Sequence, residues 1–353
     1  MRNITKTLLV LVSSISISFA AIAGEVTLTG SAKASYTIGG TDDAMDKGIG
    51  VSNELKVAAS GELDNGFTWN YHLDLDPGAS GALTNDDAAL TITMGDAGTI
   101  GFFDGEGSLH SNLAWGVGAL GTGSDYAGTM TINYGNDVDT EANIQYHTPA
   151  DVLPFGLSAK VGYVPNVGDQ AGGNDFKNTG AINPVVEGGN KLTQYRVDAT
   201  PLDGLSIGAD YATESGGDTG TAQQEESGAY YAKYAFGNFK VGYGKSLYAP
   251  AMTNKDGFFT MYETDSYGIE FAVNDQLSIS YSKEKSEGTK DNAIADGASS
   301  DTKTKTESDI TSLQAAYVIG GATIGIAQTE TSDADYTAGK EEKVTVLSIA
   351  MAF

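Results

Sequence analysis

Phe67-Thr68-Trp69-Asn70-Tyr71-His72-Leu73-Asp74-Leu75 is apolar at every odd position and polar at every even one. A period of two puts the two sets on opposite faces of an extended strand. One face of this strand meets an apolar medium and the other meets water. A soluble sandwich uses the same pattern, with its core on the odd face. Repetition and loop lengths decide between the two.

The pattern repeats along the whole chain. Val26, Leu28, Ala32, Ala34 and Tyr36 share one face, with Thr27, Thr29, Ser31, Lys33 and Ser35 on the other. Leu55, Val57 and Ala59 oppose Glu54, Lys56 and Ala58. Further strands are predicted over 88–94, 98–103, 140–148, 155–164, 190–199, 204–214, 227–236, 238–247, 263–272, 277–286, 307–318, 321–330 and 342–353. With the first three that makes sixteen, an even number that leaves both chain ends on the same side of a closed barrel.

The connections alternate in length. Leu63-Asp64-Asn65-Gly66, Gly95-Asp96-Ala97, Pro201-Leu202-Asp203, Gly237-Asn238, Asn274-Asp275-Gln276 and Gly320-Gly321 are hairpin signals. The long connections are 38–48, 76–87, 104–139, 165–189, 215–226, 248–262, 287–306 and 331–341, rich in Gly, Asp, Asn, Ser and Thr. Short turns on one rim and long loops on the other suit a barrel that spans an outer membrane, and a sandwich has no reason to sort its loops this way. Residues 127–134 have strand character, but a seventeenth strand would make the count odd, so they are assigned to the third long loop. The segment 287–306 is of low complexity and reads as a mobile loop.

Aromatic residues mark the strand ends. Phe67, Tyr146, Phe155, Phe236, Phe239, Phe271, Tyr317 and Phe353 lie beside short turns or the chain end. Tyr36, Tyr163, Tyr211, Tyr230, Tyr243, Tyr267 and Tyr281 lie toward long loops. On a barrel these become two girdles at the membrane interfaces.

Residues 1–23 have the pattern of a secretory signal. Arg2 and Lys6 precede a short, serine-diluted apolar core, and Ala21-Ile22-Ala23 is an A-x-A site with cleavage expected after Ala23. Residues 24–353 read as one barrel domain. They contain no run of ~20 apolar residues, so no transmembrane helix is expected. The chain has no cysteine, which excludes disulfides and thiolate metal sites. A net charge of −26 argues against nucleic acid as a partner and suits a cation-attracting surface or pore.

Strand parity assigns a set of charges to the water-filled interior: Lys33, Lys56, Lys160, Arg196, Lys233 and Lys240, with Glu54, Asp74, Glu141, Asp198, Asp210 and Glu270. A Lys or Arg facing lipid at mid-membrane costs about 2–4 kcal/mol, so their shared parity supports the register. Opposed charges in a lumen filter ions and orient dipolar solutes. Enzyme motifs fail. Gly116-Val117-Gly118-Ala119-Leu120-Gly121 fits G-x-G-x-x-G outside any βαβ unit. His72, His110 and His147 have no metal-ligand spacing along the chain. No catalytic residue, cofactor or resident metal is expected. Asp42, Asp43 and Asp46 offer the oxygen ligands of a structural Ca²⁺ site, but on spacing alone.

The chain resembles the general-diffusion porins of Gram-negative bacteria, in particular the sixteen-stranded trimeric porins of proteobacteria. The resemblance rests on the order of four features. These are Glu25-Val26-Thr27-Leu28-Thr29-Gly30-Ser31-Ala32; the hairpin Ala97-Gly98-Thr99-Ile100-Gly101-Phe102-Phe103 before a long loop; Ile144-Gln145-Tyr146-His147-Thr148-Pro149 followed by Phe155-Gly156-Leu157-Ser158; and the terminal Phe353. It implies short periplasmic turns, long extracellular loops and a third loop, 104–139, folded into the lumen, where Ser108 to Trp115 would form a helical turn. It implies loop acids Asp104, Glu106 and Asp125 at the constriction, facing wall charges among Lys33, Glu54, Lys56, Asp74, Lys160 and Arg196. Arg196 is the only arginine after residue 23, so the arginine ladder usual in the family is absent. The implied partners are the lipid bilayer and lipopolysaccharide, two further copies in a homotrimer, and small hydrophilic solutes and ions. The expected function is passive, cation-preferring diffusion across a bacterial outer membrane. The alternative is a surface barrel, an adhesin or receptor, that binds a partner through its long loops.

Overall fold

The computed structural model describes residues 24–40, 47–77, 83–127, 132–149, 152–165, 167, 190–215, 223–252, 255, 257–291 and 302–353. Residues 1–23 and the aspartates at 42, 43 and 46 lie outside them, as do residues 128–131 of the segment with strand character.

Sixteen antiparallel strands form one closed barrel in sequence order. They are β1 (Val26–Gly40), β2 (Gly48–Glu62), β3 (Thr68–Pro77), β4 (Leu83–Thr93), β5 (Thr99–Asp104), β6 (Asn143–His147), β7 (Ser158–Val164) and β8 (Lys191–Leu202). Then follow β9 (Leu205–Ser215), β10 (Glu226–Phe236), β11 (Phe239–Ala249), β12 (Phe259–Ala272), β13 (Leu277–Asp291), β14 (Lys303–Ile319), β15 (Ala322–Ser332) and β16 (Glu342–Ala352). Every strand is hydrogen-bonded to two others, so the sheet has no open edge. β1 pairs with β16, and Phe353 extends that seam by exchanging both backbone hydrogen bonds with Gly30, at 2.8 and 2.9 Å. The Phe353 ring lies where a side chain on residue 30 would project, so only glycine fits there.

The alternation holds in three dimensions. On β13 the even residues Ser280, Ser282, Glu284 and Ser286 are buried inside, while Ile279 and Tyr281 face outward. The outward tyrosines Tyr211, Tyr230, Tyr243, Tyr267 and Tyr281 are all exposed. At the opposite rim Tyr234, Phe236, Phe239 and Phe271 stack in a chain with centroid spacings of 5.4, 5.8 and 4.7 Å. A cysteine in place of Asn70 is therefore expected to react with a membrane-impermeant thiol reagent through the lumen, and one in place of Tyr71 to stay unlabelled in intact membranes. The reverse pattern would mean a register off by one.

The strands run past the limits set by their apolar pattern. The segment 287–306 is not wholly a loop. Its first five residues belong to β13 and its last four to β14, with Glu287 opposite Glu307 and Asp291 opposite Lys303. No apolar face remains there to give the period away. Cross-strand ion pairs hold it instead, Lys305–Glu287 at 2.5 Å and Lys285–Glu307 at 2.8 Å. With Lys245–Asp265 at 3.0 Å and Lys283–Asp309 at 2.8 Å they form a charged band on the outward parity, toward the long-loop rim from the tyrosines. β1 to β5 carry no such outward ion pairs among the described residues.

Candidate pore constriction

The described residues of the third loop, 105–127 and 132–142, lie inside the barrel along the inner wall from β7 to β15. Three apolar side chains anchor it, each in a slot that glycine leaves open. Leu109 sits against Gly162 on β7, and Leu120 against Gly325 on β15. Trp115 is fully buried over Gly242 and Gly244 on β11 and Gly268 on β12. A Cβ on Gly244 would stand 2.5 Å from the Trp115 ring, and one on Gly242 only 1.9 Å from its carbonyl oxygen. Two small apolar cores result: Leu109 and Val138 with Val164, Leu192 and Ala212, and Ala127 and Ile132 with Ile310 and Ala334. Residues 108–115 make isolated turns rather than the expected helical turn, with Ala114 N–H on the Ser111 carbonyl at 3.1 Å and Gly116 N–H on that of Leu113 at 2.9 Å.

An irregular segment inside a barrel must find partners for its backbone amides. Side chains of the wall and of the loop itself supply them. Asp137 accepts from Leu109 N–H at 2.9 Å, from His110 N–H at 3.1 Å and from the Ser108 hydroxyl. Asp210 on β9 accepts from the Ser111 N–H at 2.6 Å and from its hydroxyl. Gln194 accepts from Val138 N–H at 3.0 Å, Ser280 from Ala119 N–H at 2.7 Å and Gln314 from Leu120 N–H at 2.9 Å. Glu284 accepts from Ser124 N–H at 3.0 Å and from the Tyr134 hydroxyl. Burial, then the charge of Glu284, pushes the Tyr134 phenol well above its usual range, so it remains a donor. Burial opposes a charged His110, but hydrogen bonding and charge from Asp210, then Asp137 and the Tyr134 carbonyl, outweigh it and raise the ring's pKa. Its contribution to docking is therefore complete below pH ~6.5 and is lost as pH rises through the raised value.

The expected site residues divide into groups. Glu106 meets the β2–β3 wall. Its carboxylate hydrogen-bonds His72 Nε2 and lies 3.8 Å from Lys56 Nζ, which in turn donates to Asp74 at 3.0 Å. Lys33 on β1 lies over the Tyr126 ring at 5.2 Å, and Glu54 is exposed on the same face of β2 as Lys56. Asp125 is exposed and fixed by Thr122, whose N–H and hydroxyl donate to it at 2.6 and 2.9 Å. Lys160 and Arg196 stand apart from these, opposite each other on β7 and β8. Arg196 grips Asp198 at 2.8 and 3.0 Å and donates to the His110 carbonyl at 2.8 Å, so it braces the loop. Asp104 does not join the cluster. It pairs with Ala88 at the end of β5, on the parity of the outward Phe102 and opposite to that of Phe103, which stacks on His147. A cavity of about 360 Å³ lies on the short-turn side, lined by Gly116, Val117, Gly118, Ser206, Lys233, Lys240 and Glu270.

The anchoring roles of Trp115, Glu284 and Gln314 are not among the sequence expectations, and Asp137 is expected only as one of the loop's acids. A usable signal existed. Glycine in a strand interior marks close approach by another chain segment, and Gly162, Gly242, Gly244, Gly268 and Gly325 all have lumen parity.

Asp139, near Asp137 in the loop, is pushed up to about 6 by burial first, then by the charges of Asp137 and Asp87, with His110 acting against them. A raised acid favours the docked loop once protonated, so docking tightens as pH falls through about 6 and the loop loses one negative charge. The reversal potential in a KCl gradient is expected to move in the anion direction between pH 7 and 5 in the wild type. In Asp139→Asn that pH step should be smaller, leaving only the part due to His110, and measurement of reversal potentials at both pH values checks it.

No family profile matches the chain, and no curated protein matches it in sequence. Solved structures do match in shape. The Salmonella typhi OmpF complex with daunomycin has a TM-score of 0.64 at 14% identity, over 94% of this chain and 98% of that one. An anion-selective porin from Comamonas acidovorans has 0.63 at 13%, over 94% and 100%. OmpT, an outer-membrane protein of Vibrio cholerae in a trimer form, has 0.62 at 15%, over 94% and 100%. These likenesses establish the fold class, the closed sixteen-stranded antiparallel barrel of bacterial outer-membrane porins.

Proposed function

We propose that this chain is a general-diffusion porin, a water-filled channel for small hydrophilic solutes and ions in a bacterial outer membrane, cation-preferring and assembled as a homotrimer with lipid and lipopolysaccharide around it. One observation carries the reading. The third loop covers Ser280, Glu284 and Gln314 on the inner face of β13 and β14, while Glu54, Lys56 and Glu106 on the β2 side of the lumen remain open to water. A lumen narrowed from one side by a pinned loop, with charges on the free side, suits selective diffusion. The outward apolar belt with its two aromatic rows suits a bilayer. Transport of this kind needs no catalytic group. Reconstitution in planar bilayers tests it. Stepwise conductance, with different gel migration before and after boiling, is expected. A folded barrel that passes no current would favour the surface-binding alternative.

A further inference from the structure

We propose that the constriction holds a divalent transition-metal site made by His72 and Asp74 of β3 and Glu106 of the third loop. One imidazole nitrogen and two carboxylate oxygens lie within 4.8 Å of one another. Side-chain rotation closes that spread to the ~2.0–2.2 Å bonds of Zn²⁺. His72 and Asp74 are two apart on one strand and so share a face, and Glu106 reaches them from the loop. A second observation is independent of this proximity. Asp74 is 6% exposed, and its Oδ1 is a buried acceptor with no hydrogen-bond partner, although Oδ2 is held by Lys56. A buried carboxylate with one idle oxygen is incomplete without a donor or a cation.

The donor set chooses the ion. Imidazole suits Zn²⁺, Ni²⁺ and Cu²⁺, whereas Mg²⁺ and Ca²⁺ take oxygen ligands. The metal takes the place of the hydrogen between His72 Nε2 and Glu106; in a neutral ring that hydrogen moves to Nδ1, and in a charged ring one proton passes to water. Lys56, 3.0 Å from Asp74 and 3.8 Å from Glu106, is the internal competitor, a fixed cation that holds the carboxylates until a metal displaces it. An ion lodged here ties the loop to the β3 wall across the free side of the lumen. Only this consequence, block of the current, rests on the channel reading.

Titration calorimetry of the full-length, detergent-solubilised protein with ZnCl₂ tests the site without reference to conduction. One saturable Zn²⁺ per chain is expected, unaffected by excess Mg²⁺. His72→Gln and Glu106→Gln should each weaken binding by at least about tenfold, a loss no smaller than that seen for outer-shell partners. Lys56→Met should tighten it, a gain that a merely damaged protein would not show. His147→Gln, away from the cluster, should bind as the wild type does. In bilayers Zn²⁺ should lower the conductance of the wild type, reversibly on chelation, and leave that of His72→Gln unchanged. Absence of saturable Zn²⁺ binding, His72→Gln binding as tightly as the wild type, or displacement by equimolar Mg²⁺ would each overturn the site. Zn²⁺ bound through these groups in a protein that passes no current would uphold the site and remove the channel reading.

Discussion

Trp115→Ala is expected to release the third loop from the wall while leaving the barrel closed. Trp115 is fully buried in its glycine slot. Emptying it costs about 3–5 kcal/mol, the usual range for removing a large aromatic from a core. The cost falls on loop docking, because the ladder hydrogen bonds of the sixteen strands do not involve the side chain. At about 1.4 kcal/mol per factor of ten, the amides of Ser111, Ala119, Leu120 and Ser124 should exchange with solvent at least roughly 10²-fold faster. Amides in β13 and β14 should keep their protection. Trp115→Phe should lose far less, since the indole N–H has no partner in the wild type. Gly244→Val attacks the same contact from the wall with a residue that strands favour, so it should also free the loop in an intact barrel. Hydrogen exchange on the solubilised protein gives the answer. Wild-type protection at Ser111 and Leu120 in Trp115→Ala would mean that the polar contacts alone hold the loop.

That asymmetry between barrel and loop also governs what the sequence revealed. All sixteen strands were legible because each one separates lipid from water, and a period of two survives any detail of packing. Their ends were not. Beyond the tyrosines the outward face of β13 and β14 is charged and the inward face is polar, so Lys303, Lys305 and Glu307 alternate with threonine and no apolar row marks the period. The constriction was partly legible. Glu106, Lys56 and Asp74 lie together, Lys56 and Asp74 through the parity of neighbouring strands and Glu106 through the path of the loop. Asp104 fails because the strand runs one residue further, to Asp104 itself, before the chain turns inward. His72 gives no ligand-spacing signal because its carboxylate partner comes from a loop 34 positions away. Lys160 and Arg196 lie on the correct face, but Arg196 braces the loop from β8, a role that only the loop's path defines.

Glu106→Gln is expected to weaken cation preference more than any other single neutralisation. On the free side of the lumen the named charges are Glu54, Asp74, Glu106 and Asp125 against Lys33 and Lys56, so acids outnumber bases four to two. Asp74 is buried and spent on Lys56, and Asp125 is held by Thr122. Glu106 has the more exposed carboxylate, 31% against 9% for Asp74, and it faces Lys56 at 3.8 Å. Its removal deletes one negative charge and unmasks the lysine. A unit charge acting at about 4 Å through water is worth about 1 kcal/mol, roughly a fivefold change in local cation concentration. The permeability ratio of K⁺ to Cl⁻ should therefore fall about fivefold at low salt. The change should shrink as salt rises, since the Debye length is ~10 Å at 0.1 M and ~3 Å at 1 M. The side chains at the narrowest point of the barrel set the sign of the preference. A tenfold KCl gradient across one reconstituted channel reads that sign directly. A cation-signed reversal potential that moves toward zero in Glu106→Gln upholds the assignment. An anion-signed potential in the wild type would defeat it and make Lys33 and Lys56 the selective groups.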